Sequence, residues 1–173
     1  PVPAPIALGK HFALETIVEN HRRVHHLANQ TLKGSSGEEE HKPSRRSIYH
    51  FFKDTRQAGV DICLLSLADT RGTYESSLPQ EIWQAELSVC RELLEAYWEK
   101  REKIVAPPRL LTGNDVMEVF QLKPGRRIGQ LLDALSEAQA AGEVATREEA
   151  LAFLRLCLAQ PVGTVLAVQE TEE

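Results

Sequence analysis

Val60-Asp61-Ile62-Cys63-Leu64-Leu65-Ser66-Leu67-Ala68-Asp69 is the stretch from which the fold is read. Wound as a helix, it carries apolar side chains on nearly every side, so it is expected to be buried all round rather than along one stripe. Each large aliphatic side chain taken out of water contributes about 1.5–3 kcal/mol, so the neighbouring elements are expected to pack around this helix. The run ends at Asp69, with Thr70, Arg71 and Gly72 expected to turn the chain. A carboxylate at the edge of so apolar a segment needs a partner: a hydrogen-bond donor, an arginine or a metal.

Working outward toward the N-terminus, Gly59 is placed to end a preceding helix in a left-handed turn. That helix is capped by Ser44 and buries Ile48, Phe51, Phe52 and Thr55, which recur at helical spacing. Residues 33–43 form a loop by composition, and residues 10–32 read as one helix with His21, His25 and His26 in its second half. Toward the C-terminus, residues 71–78 are a loop leading to Ser77-x-x-Gln80, a capping-box pattern with Pro79 in the first turn. Residues 79–103 follow as a long amphipathic helix with Trp83, Leu87, Leu94, Tyr97 and Trp98 on or near one face.

Val105-Ala106-Pro107-Pro108 breaks that helix and sets a domain boundary, with residues 1–105 as one helical domain and 106–173 as a tail unit. In the tail, Thr112-x-x-Asp115 starts a short helix over 115–120, a second spans 126–141 and ends at Gly142, and Thr146-x-x-Glu149 caps a third over 147–159. Ile128, Leu131, Leu132 and Leu135 are the buried positions of the middle helix. Residues 162–168 can pair as a short strand, and 169–173 are expected to fray. No stretch alternates as a strand does, so the fold class is all-α: a multi-helix bundle followed by a small helical tail.

The totals bound the function. The 173 residues carry a net charge of -5, which argues against gripping polyanions by bulk charge but leaves room for local basic patches. These are Arg22-Arg23, Lys42 with Arg45-Arg46, and Lys123 with Arg126-Arg127. No segment is long and apolar enough to cross a bilayer, and no signal peptide is visible, so no membrane partner and a cytoplasmic location are expected. Cys63, Cys90 and Cys157 are far apart in sequence and sit in helical patterns, as core thiols in a reducing compartment do. The chain begins at Pro1 and its one methionine is Met117, so it reads as a piece of a longer protein.

Three features can carry chemistry. His21 and His25 are one helical turn apart and can share a metal, or can simply form a polar helix face. Asp69 is either a ligand or a structural acceptor. The third is Leu122-Lys123-Pro124-Gly125-Arg126-Arg127-Ile128-Gly129, a tight turn running into a helix start. Its unpaired N–H groups, positive dipole end and three cations suit a phosphate, with Gly129 allowing close approach. An ordinary helix–turn–helix connection with solvated arginines reads the same way. No nucleophile-plus-base pattern or phosphate loop appears.

These residues also carry a resemblance. Leu111-Thr112-Gly113-Asn114-Asp115-Val116-Met117, Leu122-Lys123-Pro124-Gly125, Ile128-Gly129-Gln130-Leu131-Leu132, and Glu137-Ala138 followed by Gly142-Glu143 resemble the C-terminal region of bacterial tRNA nucleotidyltransferases of the poly(A) polymerase family. Asn20-His21 with Arg23, the segment from Pro43 through Phe52, and Leu65-Ser66-Leu67-Ala68-Asp69 are similar to the HD domain of that family. The resemblance implies that the parent adds nucleotides to RNA 3′ ends from CTP or ATP with magnesium, and that this part holds tRNA or other RNA. The family's catalytic head and the first HD ligands would precede Pro1, so no catalytic residue and no bound metal are expected in this chain alone. The resemblance leaves room for a divalent metal at the parent's HD site, where Asp69 and His21 match ligand positions. Lys123, Gly125, Arg126, Arg127, Arg45 and Arg46 are the expected RNA contacts. In this chain Arg23-Val24-His25-His26 stands where the family usually has Arg-Pro, and the loop rich in glycine and glutamate is an insertion. Two other readings remain open at this point: a remnant of an HD-type metal-dependent phosphohydrolase, and a helical interaction module using the helix of Trp83 and Trp98.

Overall fold

The computed structural model of the chain describes residues 7–33 and 42–159. The loop, strand and frayed end expected within 34–41 and 160–173 lie outside the described residues. Among those described, the chain is all-helical as expected, with eight α-helices, one 3-10 turn, one π-turn and no strand. It divides into two compact units, the first running to Arg101 and the second starting at Glu102. No helix among the described residues is long and apolar enough to cross a membrane.

The first unit holds α1 (Ala7–Asn20), α2 (Arg23–Lys33), α3 (Arg45–Thr55), α4 (Ala58–Tyr74) and α5 (Gln80–Trp98). The single helix expected over 10–32 is two helices, broken at His21-Arg22. The Asn20 side-chain amide donates to the Thr16 carbonyl at 2.9 Å, and His21 Nδ1 lies 2.7 Å from the Val18 carbonyl oxygen. Side chains that turn back onto the last carbonyls compete with the helix ladder and end it. α3 follows its sequence: the Ser44 hydroxyl accepts from the Ser47 amide at 3.1 Å, and Ile48, Phe51, Phe52 and Thr55 are all buried.

Gly59 does not end the helix. α3 stops at Arg56, at φ 51° and ψ -126°, with its amide donating to the Phe52 carbonyl at 2.8 Å. Gly59 lies in the first turn of α4, where a Cβ would stand 2.7 Å from Thr55 Oγ1 and 2.8 Å from Phe52 Cε1. Its glycine serves close helix packing rather than φ.

α4 is not buried all round. Gly59, Ile62, Cys63, Ser66 and Thr70 form its buried face, whereas Leu64 is 57 % and Leu65 42 % exposed. Nor does the chain turn at Thr70–Gly72: the helix runs on to Tyr74 and stops at Glu75, whose φ is 48° and whose amide donates to the Arg71 carbonyl. Thr70 sits on the buried face, which holds the helix together past Asp69. The neighbouring elements do gather round α4, which packs against α1, α2, α3 and α5, and α5 in turn packs against both α2 and α4. α5 buries Ala85, Val89, Cys90, Leu93 and Ala96. Trp83, Leu87, Leu94 and Tyr97 lie at its flanks, and Trp98 is 64 % exposed. The capping box expected at Ser77 does not form; the Ser77 hydroxyl donates to the Tyr74 carbonyl, and α5 starts after Pro79 with no side-chain cap.

The second unit holds α6 (Gly113–Phe120), α7 (Arg126–Ala141) and α8 (Arg147–Ala159), with α7 packed against the other two. Leu111, Val116, Ile128, Leu131, Leu135, Ala138, Val144, Ala150 and Leu154 form its core. Both expected capping boxes are present. Thr112 Oγ1 accepts from the Asp115 amide, and the Asp115 carboxylate accepts from the Thr112 amide at 2.7 Å. Thr146 Oγ1 accepts from the Glu149 amide, and the Glu149 carboxylate accepts from the amides of Ala145 and Thr146. Gly142 ends α7 at φ 86°, the left-handed conformation for which glycine is suited.

Candidate functional site

The start of α7 is the most open helix start in the second unit. Gly125 is its N-cap and supplies no side chain to cap the helix amides. Lys123, Arg126 and Arg127 are all exposed around it. Among the described residues Ile128 is the first of this helix to turn inward, its amide bonded to the Gly125 carbonyl at 3.1 Å. Gly129 lies one turn along on the exposed side, and a Cβ added there would meet nothing within 4 Å. A shallow groove continues from it along α7, bounded by Arg109, Gly129, Leu132, Asp133, Ser136 and Gln139.

The contrast with the other two starts is chemical. Thr112 and Thr146 satisfy the first amides of α6 and α8 from within the chain. Arg147, at the start of α8, is engaged as well: it binds Asp115 at 2.7 Å and reaches the Leu110 carbonyl at 3.3 Å. The Asp115 carboxyl is held well below the usual carboxylate range, first by the Thr112 hydroxyl and then by Arg147. No such acid stands against Arg126 or Arg127 among the described residues. An arginine pair, a lysine and the positive end of a helix dipole therefore face solvent together. Arg45 and Arg46 are exposed too, in the first turn of α3, but both already interact within the chain.

The structure also assembles a polar cluster inside the first unit. Glu86, on the inner face of α5, is 2 % exposed. His25 Nδ1 of α2 lies 2.5 Å from its Oε1, and the Ser66 hydroxyl of α4 donates to its Oε2 at 2.7 Å. An ionised carboxylate only accepts, so Nδ1 carries the proton of that contact. The other ring nitrogen, Nε2, is buried and makes its one close polar approach to Asp69 Oδ2 at 3.3 Å. Asp69 thus lies beside His25, but no hydrogen bond joins the two, and its side chain is 60 % exposed to water. His21, the position matched by resemblance, sits at the end of α1 with its ring on the Val18 carbonyl. Among the described residues no three His, Cys, Asp or Glu side chains converge as the ligands of a metal would. His25 and Asp69 offer two donors, and Glu86 takes the remaining histidine nitrogen.

Beside this cluster lie Cys63 and Cys90, both buried, with the Cys90 thiol donating to the Cys63 carbonyl at 3.5 Å. The Cys63 thiol is pushed up by its contact with Cys90 and by burial, so it is a packing group and not a nucleophile. Glu86 and Ser66 were legible after a fashion. Each is a polar residue at a buried helical spacing, Glu86 with Val89, Cys90 and Leu93, and Ser66 with Ile62, Cys63 and Thr70.

Comparison with known proteins gives these features a setting. Residues 80–154 match the family model described as tRNA nucleotidyltransferase domain 2. The chain is 38% identical over 108 residues to the A-adding tRNA nucleotidyltransferase of Deinococcus radiodurans, covering 61% of this chain and 24% of that protein. It is 34% identical over 110 residues to the CC-adding tRNA nucleotidyltransferase of Thermus thermophilus, covering 64% of this chain and 23% of that one. The CC-adding tRNA nucleotidyltransferase of Synechocystis is 29% identical over 114 residues, or 66% of this chain and 24% of the relative. The chain therefore spans about a quarter of the length of the curated relatives it matches. No solved structure gives a significant match.

Proposed function

We propose that this chain, which over residues 80–154 belongs to the tRNA nucleotidyltransferase family, holds the RNA body while another part of the protein adds nucleotides to the 3′ end. The observation that carries the reading is the open start of α7, where Lys123, Arg126 and Arg127 surround amides that no side chain caps. That turn lies inside the stretch matched to the family. A phosphate there gains charge-assisted hydrogen bonds from the arginines and from backbone N–H groups. Such a grip is blind to base identity, which suits a set of tRNAs alike in shape and different in sequence. Gly125 and Gly129 leave the approach to the helix backbone unobstructed. Transfer from ATP or CTP belongs, in this reading, to the whole protein; the share of this chain is positioning.

The test is tRNA binding at several salt concentrations, wild type against the double variant Arg126→Ala, Arg127→Ala. The variant is expected to bind unrelated tRNAs more weakly by the same factor, with the salt slope reduced by about one unit for each phosphate no longer neutralised. Both side chains are exposed, so the fold is retained. Equal affinity and equal slope would show that the arginines are solvated and nothing more.

A further inference from the structure

At the C-terminal end of α5 an aromatic stack runs from the core to the surface. Phe52, buried in α3, lies 5.2 Å from the Tyr97 ring at an interplanar angle of 33°. Tyr97 meets Trp98 edge-on, with centroids 5.5 Å apart. The Arg101 guanidinium sits 4.8 Å from the Tyr97 centroid. The outermost member, Trp98, is 64 % exposed. Leaving an indole in water forgoes one of the largest burial gains any side chain offers, and here the indole is held in place by rings rooted in the core.

The surroundings decide what such an indole can take. Arg91 and Glu99 are exposed, and Glu95 is paired with Lys100 at 2.5 Å, so charged groups frame the ring on its own helix. A protein interface needs a contiguous apolar patch of hundreds of square ångströms, whereas the exposed residues near Trp98 in sequence, Arg91, Glu99 and Arg101, are charged. One nucleic-acid base needs one aromatic face with a cation beside it. The site also lies at the negative end of the helix dipole, which disfavours a phosphate and is indifferent to a neutral base.

We propose that Trp98 is a stacking platform for one unpaired RNA base, with Arg101, over the neighbouring Tyr97 ring, to meet the adjoining backbone. The inference rests on the reading that this chain holds RNA, and it adds a contact of a different kind. The phosphate grip at α7 is sequence-blind and salt-dependent; the Trp98 contact selects single-stranded over paired RNA.

Fluorescence anisotropy with a labelled single-stranded oligoribonucleotide and with a blunt RNA duplex separates the two. Trp98→Ala is expected to weaken single-strand binding by about five- to a hundredfold, to leave duplex binding and the salt slope unchanged, and to keep the helical circular dichroism. Trp98→Phe is expected to retain most of the affinity, because it keeps an aromatic face. In a Trp83→Phe background, the remaining indole emission should be quenched by the single strand and not by the duplex. If Trp98→Ala binds the single strand as wild type does, while Arg126→Ala with Arg127→Ala weakens all RNA, the stacking proposal falls and the RNA-holding function stands. If the wild-type chain binds neither RNA, both fall. If Trp98→Ala instead halves the mass of an oligomer in sedimentation, the surface is a protein interface and the proposal is overturned.

Discussion

Replacing Glu86 by alanine tests whether the polar cluster of the first unit is a working part of its core. The carboxylate accepts from His25 at 2.5 Å and from Ser66 at 2.7 Å, in a position 2 % exposed. Its removal leaves the hydroxyl proton of fully buried Ser66 without an acceptor and His25 Nδ1 with only the Ser66 oxygen, 3.5 Å away. Each orphaned buried polar group costs about 1–3 kcal/mol, and two are affected here beside the cavity left by the side chain. Glu86→Ala is therefore expected to lose about 3–5 kcal/mol in urea unfolding, seen as a lower midpoint at unchanged slope. Glu86→Gln keeps an acceptor for Ser66 but exchanges a charge-assisted bond for a neutral one, and should lose about 1–2 kcal/mol. In the double variant with His25→Ala the two losses should fall short of their sum by at least about 1 kcal/mol, as directly coupled residues do. A loss below about half a kcal/mol for Glu86→Ala, or strict additivity with His25→Ala, refutes the reasoning.

Two further predictions follow from burial and from titration. Ile62→Ala, at a position with no exposure, is expected to cost about 2–5 kcal/mol, whereas Leu64→Ala, more than half exposed, should cost about 1 kcal/mol or less by the same denaturant measurement; equal costs would mean that the outer face of α4 is covered in solution. The carboxyls of Asp115 and Glu149 are both held below their ordinary range, Asp115 first by the Thr112 hydroxyl and Glu149 first by the Ala145 amide. A carboxyl harder to protonate folded than unfolded stabilises fully above its unfolded pKa of about 4 and loses that contribution as pH falls below it. Asp115→Asn with Glu149→Gln should thus flatten the fall of melting temperature between about pH 5 and pH 2, and an unchanged acid limb in circular dichroism melts counts against the capping boxes.

What was legible in the sequence is what local chemistry decides. Ser44, Thr112 and Thr146 each stand at a helix start with the right partner three residues on, and each cap forms because both groups belong to one turn. Ile48, Phe51, Phe52 and Thr55 fall on one face because a single period places them there. Two misreadings are themselves local, at Ser77, whose hydroxyl turns back to the Tyr74 carbonyl, and at the break after Asn20; the others come from long-range contacts. Val60–Asp69 is apolar by count, but burial depends on which face meets the neighbouring helices, and Leu64 and Leu65 stay exposed. Gly59 read as a turn residue because nothing local announces that Thr55, Phe52 and Phe51 crowd its α-carbon. His25 and His21 are one turn apart and indistinguishable in sequence; the turn at His21-Arg22 and the buried carboxylate on α5 put His25 against Asp69.

The second unit makes its own case about the arginines. It satisfies two helix starts with threonine side chains and reciprocal carboxylates, and it pairs Arg147 with Asp115 across two of its helices. The same chain leaves the third start with a glycine cap and sets three cations around it. Within the fold this arrangement is costly: like charges gather where the dipole is already positive, and that repulsion is offset by no acid among the described residues. A serine or aspartate at position 125 would cap the helix, and against glycine would add about a few tenths of a kcal/mol. An uncapped helix start ringed by cations, beside two others that are capped, supports the proposed reading that an anion arrives from outside. In the function proposed, tetrahedral phosphate oxygens of an RNA backbone would meet both the amides and the guanidinium groups, and the salt dependence of Arg126 and Arg127 variants tests that contact.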